Sequence, residues 1–449
     1  MLDLLPGALL ALCAAGFVAI AIYLVSLYSS GREHLLLFLV FLPAAFFQEL
    51  PAQLASVGGF GVTTPDLVCA VLLAQALLKP QASRDRRDRL HSGVKLSLAI
   101  WLFLVVFSLL RGTEEFGLQQ AVNEARPFVY VAIITIWFLS VFSDDRASAA
   151  MVKVAPVMIG VLLTVFLVHV ATNGLGSSTT VLIDSAGNPV ESRALNSGQS
   201  FLLLGLSFAL FFSRAKGIVH QALPAAGFLA VLLAQNRSVW AAAVAAGIAV
   251  LLISASIHRM RAVVLGLGAL GALIVAYIAS PVARGAFDQV LSSSRDSRTY
   301  DGRVAGWIAL LDQQAQSDAL DRILGLAFGH GWDRLQDGMF VVFSPHNWYV
   351  TSALRIGYVG VILTVAILAI SIWRSTALRE RPEVIATAVS LTVYFWAYNF
   401  DWYLAPMFAF VVVSVWSRPF EHERSRPRPR QKNRVGYEPA RSTSSKISR

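Results

Sequence analysis

Apolar runs of close to twenty residues recur about a dozen times between Pro6 and Trp416, and runs of that length can cross a hydrocarbon core about 30 Å thick. Inside hydrocarbon no water satisfies backbone N–H and C=O groups, so each run has to close its hydrogen bonds internally, as a helix. The expected fold is therefore all-α, a polytopic transmembrane helical bundle of about 12–13 helices with one large extracytoplasmic loop subdomain that contains an amphipathic helix. Composition agrees: of 449 residues 56% are hydrophobic and 14% charged, and the mean hydropathy is +0.62. The first run, Leu4 to Tyr28, has neither a basic n-region nor a small-residue cleavage site, so it is expected to remain as a helix. The two cysteines, Cys13 and Cys69, both fall in apolar runs, which argues against a disulfide framework and a cysteine metal site.

The net charge of +10 and pI near 9.8 would fit nucleic acid if the basic residues shared one soluble face, but they are spread over short loops and the C-terminal tail. Lys79, Arg84, Arg86, Arg87, Arg89 and Lys95 cluster in one loop, Arg214 and Lys216 in a second, Arg259 and Arg261 in a third, and Arg374, Arg379 and Arg381 in a fourth. The positive-inside rule makes these loops cytoplasmic, and counting helices between them puts the segments near 50–64, 111–126, 171–198 and 281–345 outside. The expected location is the cytoplasmic membrane, with a cytoplasmic C-terminus. The tail over 418–449, with Arg-Pro-Arg-Pro-Arg at 426–430, is expected to be disordered, its charge available to anionic lipid.

The apolar pattern predicts helices over 6–28, 35–50, 65–78, 94–110, 127–142, 151–170, 199–213, 218–234, 238–254, 262–280, 346–372, 384–398 and 403–417. Four regions follow: N-terminal membrane helices 1–280, the loop 281–345, C-terminal membrane helices 346–417 and the basic tail 418–449. Within the loop, Val304, Trp307, Ile308, Leu311, Leu320, Ile323 and Leu324 recur at helical spacing behind Asp301 as a cap, predicting a helix that lies on the membrane or over the bundle mouth.

Three residue sets could carry chemistry. His346, in Pro345-His346-Asn347-Trp348-Tyr349, puts a titratable imidazole where the long loop re-enters an apolar helix, a depth at which ionisable groups tend to be functional; the alternative is an interfacial helix start. Asn347 can orient that imidazole or cap the helix. Arg303, expected in the first turn of the loop helix, adds a cation where backbone N–H groups already favour an anion, a combination suited to phosphate, against the alternative of a solvated basic loop. Arg237 occupies the tight link Gln235-Asn236-Arg237-Ser238, where an outer cation runs against the orientation bias unless it is a snorkelling anchor. His330 lies between glycines in the loop, and Asp401 lies in the short outer link Tyr398-Asn399-Phe400-Asp401-Trp402-Tyr403, whose aromatics suit the interface belt. Gly357 and Gly360 read as close-packing positions.

Arg237 before an apolar helix, Arg303-Val304-Ala305-Gly306-Trp307, Phe328-Gly329-His330-Gly331-Trp332 and His346-Asn347 followed by Gly357 and Gly360 together resemble the O-antigen ligase and O-antigen polymerase superfamily over about 235–417. The Asn-Arg-Ser around Arg237 departs from the more familiar Ser-Arg-Gly. The resemblance implies transfer of a glycan from undecaprenyl diphosphate to a hydroxyl acceptor outside the membrane. On that reading His346 and Arg303 are catalytic, Arg237, Asn347, His330 and Asp401 bind substrate, and neither metal nor cofactor is needed. The implied partners are a polyprenyl-diphosphate-linked glycan, a glycan, lipid or protein hydroxyl acceptor, and membrane lipids, with no nucleic acid. Ligase and polymerase remain open alternatives, and a non-enzymatic polysaccharide or lipid transporter is a third reading.

Overall fold

The computed structural model describes residues 32–46, 53–57, 60–78, 92–174, 181–183, 189–191, 193–213, 217–281, 284–285, 288, 298–336, 339–342, 344–375 and 379–416. The expected helix over 6–28, Cys13, most of the basic loop 79–95 and the tail 418–449 lie outside them. Each remaining apolar run is helical: α1 (His34–Ala45), α2 (Thr64–Leu78), α3 (Ser92–Phe116), α4 (Leu118–Val141), α5 (Asp144–Asn173), α6 (Ser197–Phe211), α7 (Val219–Leu233), α8 (Arg237–Ile253) and α9 (Ser256–Ala279). The loop forms α10 (Arg298–Gln316) and α11 (Ala319–Leu324), and the chain ends in α12 (Trp348–Ser375), α13 (Pro382–Ala397), a 3-10 turn (Trp402–Leu404) and α14 (Ala405–Trp416). Three antiparallel hairpins of three-residue strands qualify the all-α expectation: β1 (Ala55–Val57) with β2 (Phe60–Val62), β3 (Val181–Ile183) with β4 (Pro189–Glu191), and β5 (Arg334–Gln336) with β6 (Met339–Val341).

Four helices, α3, α4, α5 and α12, are long and apolar enough to cross a membrane by length and composition. Their outward sides are oily: Leu96, Phe103 and Leu110 on α3, Leu167 on α5 and Ile362 and Trp373 on α12 are all exposed. An apolar surface of this kind suits lipid better than water. Every residue of α14 is buried, as is nearly every residue of α6, so these two occupy the core, and α8 packs most extensively along α13.

Contacts at the helix ends sort the loops into two groups. Arg381 donates to Asp144 (2.7 Å) and Glu383 (2.6 Å), and the amide of Ala255 reaches the carbonyl of Arg379 (3.0 Å), so the basic links after α8 and α12 share one end. At the other end of α12 and α13, the amide of Trp348 donates to the carbonyl of Tyr398 (3.2 Å). His346 thus belongs to the end opposite Arg379 and Arg381.

α12 is broken at Gly357, whose φ of 71° and ψ of 178° lie outside the helix. A Cβ there would run into the Ile323 carbonyl, and one on Gly325 (φ +87°) would meet the Gly357 amide nitrogen at 2.7 Å. The two glycines let the end of α11 touch the kink backbone to backbone, so Gly357 has a conformational role beyond the packing expected of it. Gly357→Ala is expected to cost about 1–3 kcal/mol, seen as a lower unfolding midpoint in detergent, because both the left-handed backbone and the clash oppose it.

Candidate functional site

α10 docks across the ends of α12 and α13. Trp307, Leu310, Leu326, Val350 and Leu354 form a small apolar core beneath it, each buried side chain contributing about 1.5–3 kcal/mol. Trp307 Nε1 donates to the Pro345 carbonyl at 2.5 Å, and the buried Gln314 Nε2 donates to Ala353 O at 3.0 Å. These contacts fix the Pro345-His346-Asn347 segment against the loop helix. The helix begins at Arg298, so Arg303 sits in its second turn and Asp301 lies inside the helix rather than capping it. The helix-start argument for anion binding at Arg303 is therefore corrected, since the end effect fades beyond the first turn.

Arg303 is instead placed by its neighbours: Nη1 donates to Ala397 O at 3.3 Å and the guanidinium stacks on Tyr398, 5.2 Å from the ring centroid. Arg334, buried at the start of β5, donates from Nη1 to Trp332 O at 3.1 Å. Both cations act on His346. Burial first, then Arg303 and Arg334, push the imidazole pKa from 6.5 down to about 4. The residue opens to the surface, so water screens part of this effect, but the direction is set by burial and two like charges. His346 also has φ of 49°; it and Gln235 are the only non-glycine residues with positive φ among the described residues. Such backbone costs about 1–3 kcal/mol and tends to collect at functional sites.

Asn347 is a helix cap: its buried Oδ1 accepts from the Val350 amide at 3.1 Å, while its Nδ2 is buried without a hydrogen-bond partner. Asn399 stitches the neighbouring link to the same segment, accepting from Thr351 Oγ1 (2.9 Å) and donating to Ser344 Oγ (2.9 Å). Asp401 lies one layer further, accepting from Tyr403 Oη at 3.0 Å; burial pushes its carboxyl up to about 6, although the residue keeps some solvent contact.

Arg237 is exposed at the first turn of α8. The adjoining Asn236 is buried and donates to Leu195 O (3.1 Å) and Ser200 Oγ (2.7 Å), which ties the link to the start of α6, where Gly198 sits against Asp401 and Tyr403. Arg237 therefore shares this end, but it is not among the cations that act on His346. His330 is exposed and meets the Phe116 ring edge-on at 5.8 Å, beside the α3–α4 turn.

Sequence reasoning passed over an ion pair between a fully buried arginine and a half-buried glutamate. Arg355, on α12, donates from Nε (2.8 Å) and Nη2 (2.5 Å) to Glu124 Oε1 on α4 and also holds the Gly331 carbonyl, its guanidinium 3.9 Å from the Trp332 ring centroid. The other Glu124 oxygen accepts from the Gly329 amide at 2.5 Å. The signal was present: an arginine within an apolar run is a functional or structural marker by default. Arg334, read as one of many loop cations, gave no comparable signal.

Two cavities open here. One, of about 190 Å3, is apolar and lined by Trp101, Leu102, Val131, Trp348 and Phe400 between α3, α4 and α12. The other, of about 700 Å3, lies between the α3–α4 turn and Gly329–Trp332. No group of three or more His, Cys, Asp or Glu among the described residues could hold a metal. Comparison with protein-family models, curated proteins and solved structures finds no match to this chain, so its function has to be read from the chemistry of these residues.

Proposed function

We propose that the protein is a membrane glycan transferase of the O-antigen ligase type, with His346, Arg303 and Arg334 at its reaction centre. One observation carries this reading: the charges of Arg303 and Arg334 both act on the surface-exposed His346, whose segment runs, at Trp348, into an apolar pocket. A polyprenyl diphosphate has matching parts, a dianionic head for the arginines and a hydrocarbon chain for the pocket.

The acceptor hydroxyl oxygen attacks the anomeric carbon from the face opposite the diphosphate. The new glycosidic C–O bond forms as the bond to the diphosphate oxygen breaks, with inversion. The electron pair leaves on the diphosphate, whose added charge Arg303 and Arg334 stabilise, and the hydroxyl proton passes to His346. Arg237, Asn347, His330 and Asp401 are proposed as contacts to the remainder of donor and acceptor. The proposed setting is a bacterial cytoplasmic membrane with this end outside. Ligase and polymerase share the reaction and differ in acceptor.

The test is acceptor-dependent release of polyprenyl diphosphate from a lipid-linked glycan in proteoliposomes. Arg303→Ala is expected to lower release by about 10²-fold or more, and Arg303→Lys, which keeps charge but loses the fork, by less. The acceptor that supports release separates ligase from polymerase; equal turnover in all three proteins would remove Arg303 from the centre. A transport reading draws on the Glu124–Arg355 pair, since ionisable groups within helices also line translocation paths. Donor crossing the bilayer unconsumed would favour it.

A further inference from the structure

The larger cavity lies apart from the cations. Its lining includes Phe116, Gln119, Gln120, Asn123, Gly329 and Trp332. At about 700 Å3 it falls within the usual size of small-molecule sites. Glu124 is the one charged group in the lining, and its oxygens are already taken by Arg355 and the Gly329 amide, so the lining carries no uncompensated charge. A diphosphate has nothing to pair with there.

The walls are built rather than incidental. Gln120 Nε2 donates to Gly329 O at 2.7 Å, the Phe328 amide reaches Ser108 O at 3.4 Å, and Arg111 Nη1 holds Gly325 O at 3.1 Å. Gly329, at φ +99°, admits the Phe116 side chain, which a Cβ would meet at 2.9 Å. Arg355 fixes the Trp332 ring. Side-chain amides carry donors and acceptors together, as sugar hydroxyls do, and the partly exposed Phe116 adds apolar surface for the C–H face of a pyranose. Trp332 is also two residues from Arg334, so the cleft and the cation site share one short segment.

We propose that this cleft binds a neutral sugar ring of the glycan. The assignment of that ring to donor or acceptor rests on the transferase reading; the binding itself does not. The test uses the full chain in nanodiscs and saturation-transfer NMR with methyl glycosides of glucose, galactose, rhamnose and N-acetylglucosamine. At least one is expected to bind, with affinity about tenfold weaker in Asn123→Trp, which fills the cleft from an exposed position, and unchanged in Ile248→Ala, an exposed position outside the cleft lining. If Asn123→Trp fails to fold, Asn123→Ala, which removes one amide and leaves the cleft open, has to weaken binding by the same readout. No binding to wild type, or equal binding in the Asn123 variants, overturns the assignment. Binding without diphosphate release would leave the cleft standing and the transferase reading fallen; release without binding would do the reverse.

Discussion

Arg355→Ala and Glu124→Ala are each expected to destabilise the protein by about 3–5 kcal/mol, the usual effect of leaving one member of a buried ion pair without the other. Arg355 is completely buried, so Glu124→Ala leaves a cation that cannot reach water, whereas Glu124 borders the larger cavity, so Arg355→Ala is expected at the lower end of that range. Glu124 does more than balance a cation, because its second oxygen receives the Gly329 amide, and Arg355 also holds the Gly331 carbonyl. The pair is therefore a clamp on the Gly329–Trp332 loop from two helices at once. This distinguishes it from a simple charge pair in a way that can be measured. Exchanging the residues, Glu124→Arg with Arg355→Glu, preserves opposite charges but turns donors towards the Gly329 amide and an acceptor towards the Gly331 carbonyl, and should not restore stability. Glu124→Gln keeps an acceptor for Gly329 and should be milder than Glu124→Ala. Unfolding midpoints in detergent provide the readout. A charge swap that recovered the wild-type midpoint would mean that the loop contacts contribute little.

The helices were legible because hydropathy alone decides them: α7 was expected at 218–234 and spans Val219–Leu233, and α8, expected at 238–254, spans Arg237–Ile253. The loop helix was also visible in the spacing of Val304, Trp307 and Leu311, but its start was not. Asp301 looked like a cap, whereas the chain turns helical already at Arg298, and an acidic residue is as favourable inside the first turn as before it. Two members of the site, Arg303 and His346, were read from motif and position. Arg334 was not, since what selects it from the other loop arginines is the β5–β6 hairpin that buries it beside Trp332, a tertiary effect with no local pattern. Arg237 and Arg303 both lie near the start of a helix, but only α10 folds back over the His346 segment. Glu124 and Arg355 were readable as charges in apolar helices, yet 231 residues separate them and nothing local names one as the partner of the other.

On the proposed transferase reading, replacing His346 is expected to lower the transfer rate by about 10²–10⁴-fold, the range for a lost general base. Two variants divide that effect. His346→Ala removes the imidazole and also strains a backbone held at φ of 49°, whereas asparagine tolerates that conformation, so His346→Asn tests the ring alone. The pH dependence then tests the surroundings. In the free enzyme, burial, Arg303 and Arg334 favour the neutral ring, so the base stays competent as pH falls through 6.5 and is lost only towards about 4. The acid limb of kcat/KM, which reports the free enzyme, should lie correspondingly low. Once a diphosphate sits between the guanidiniums, its negative charge offsets them and stabilises the imidazolium. The acid limb of kcat, which reports the bound enzyme, should therefore lie above that of kcat/KM, and Arg303→Ala should raise the free-enzyme limb by removing one repulsive charge. On the proposed reading, the donor would itself raise the basicity of His346, bringing the imidazole nearer the operating pH only when the diphosphate is bound. Coincident limbs near 6.5 would mean that burial and the two arginines do not tune the imidazole, and a His346→Asn protein that turns over at the wild-type rate would remove His346 from the role of base.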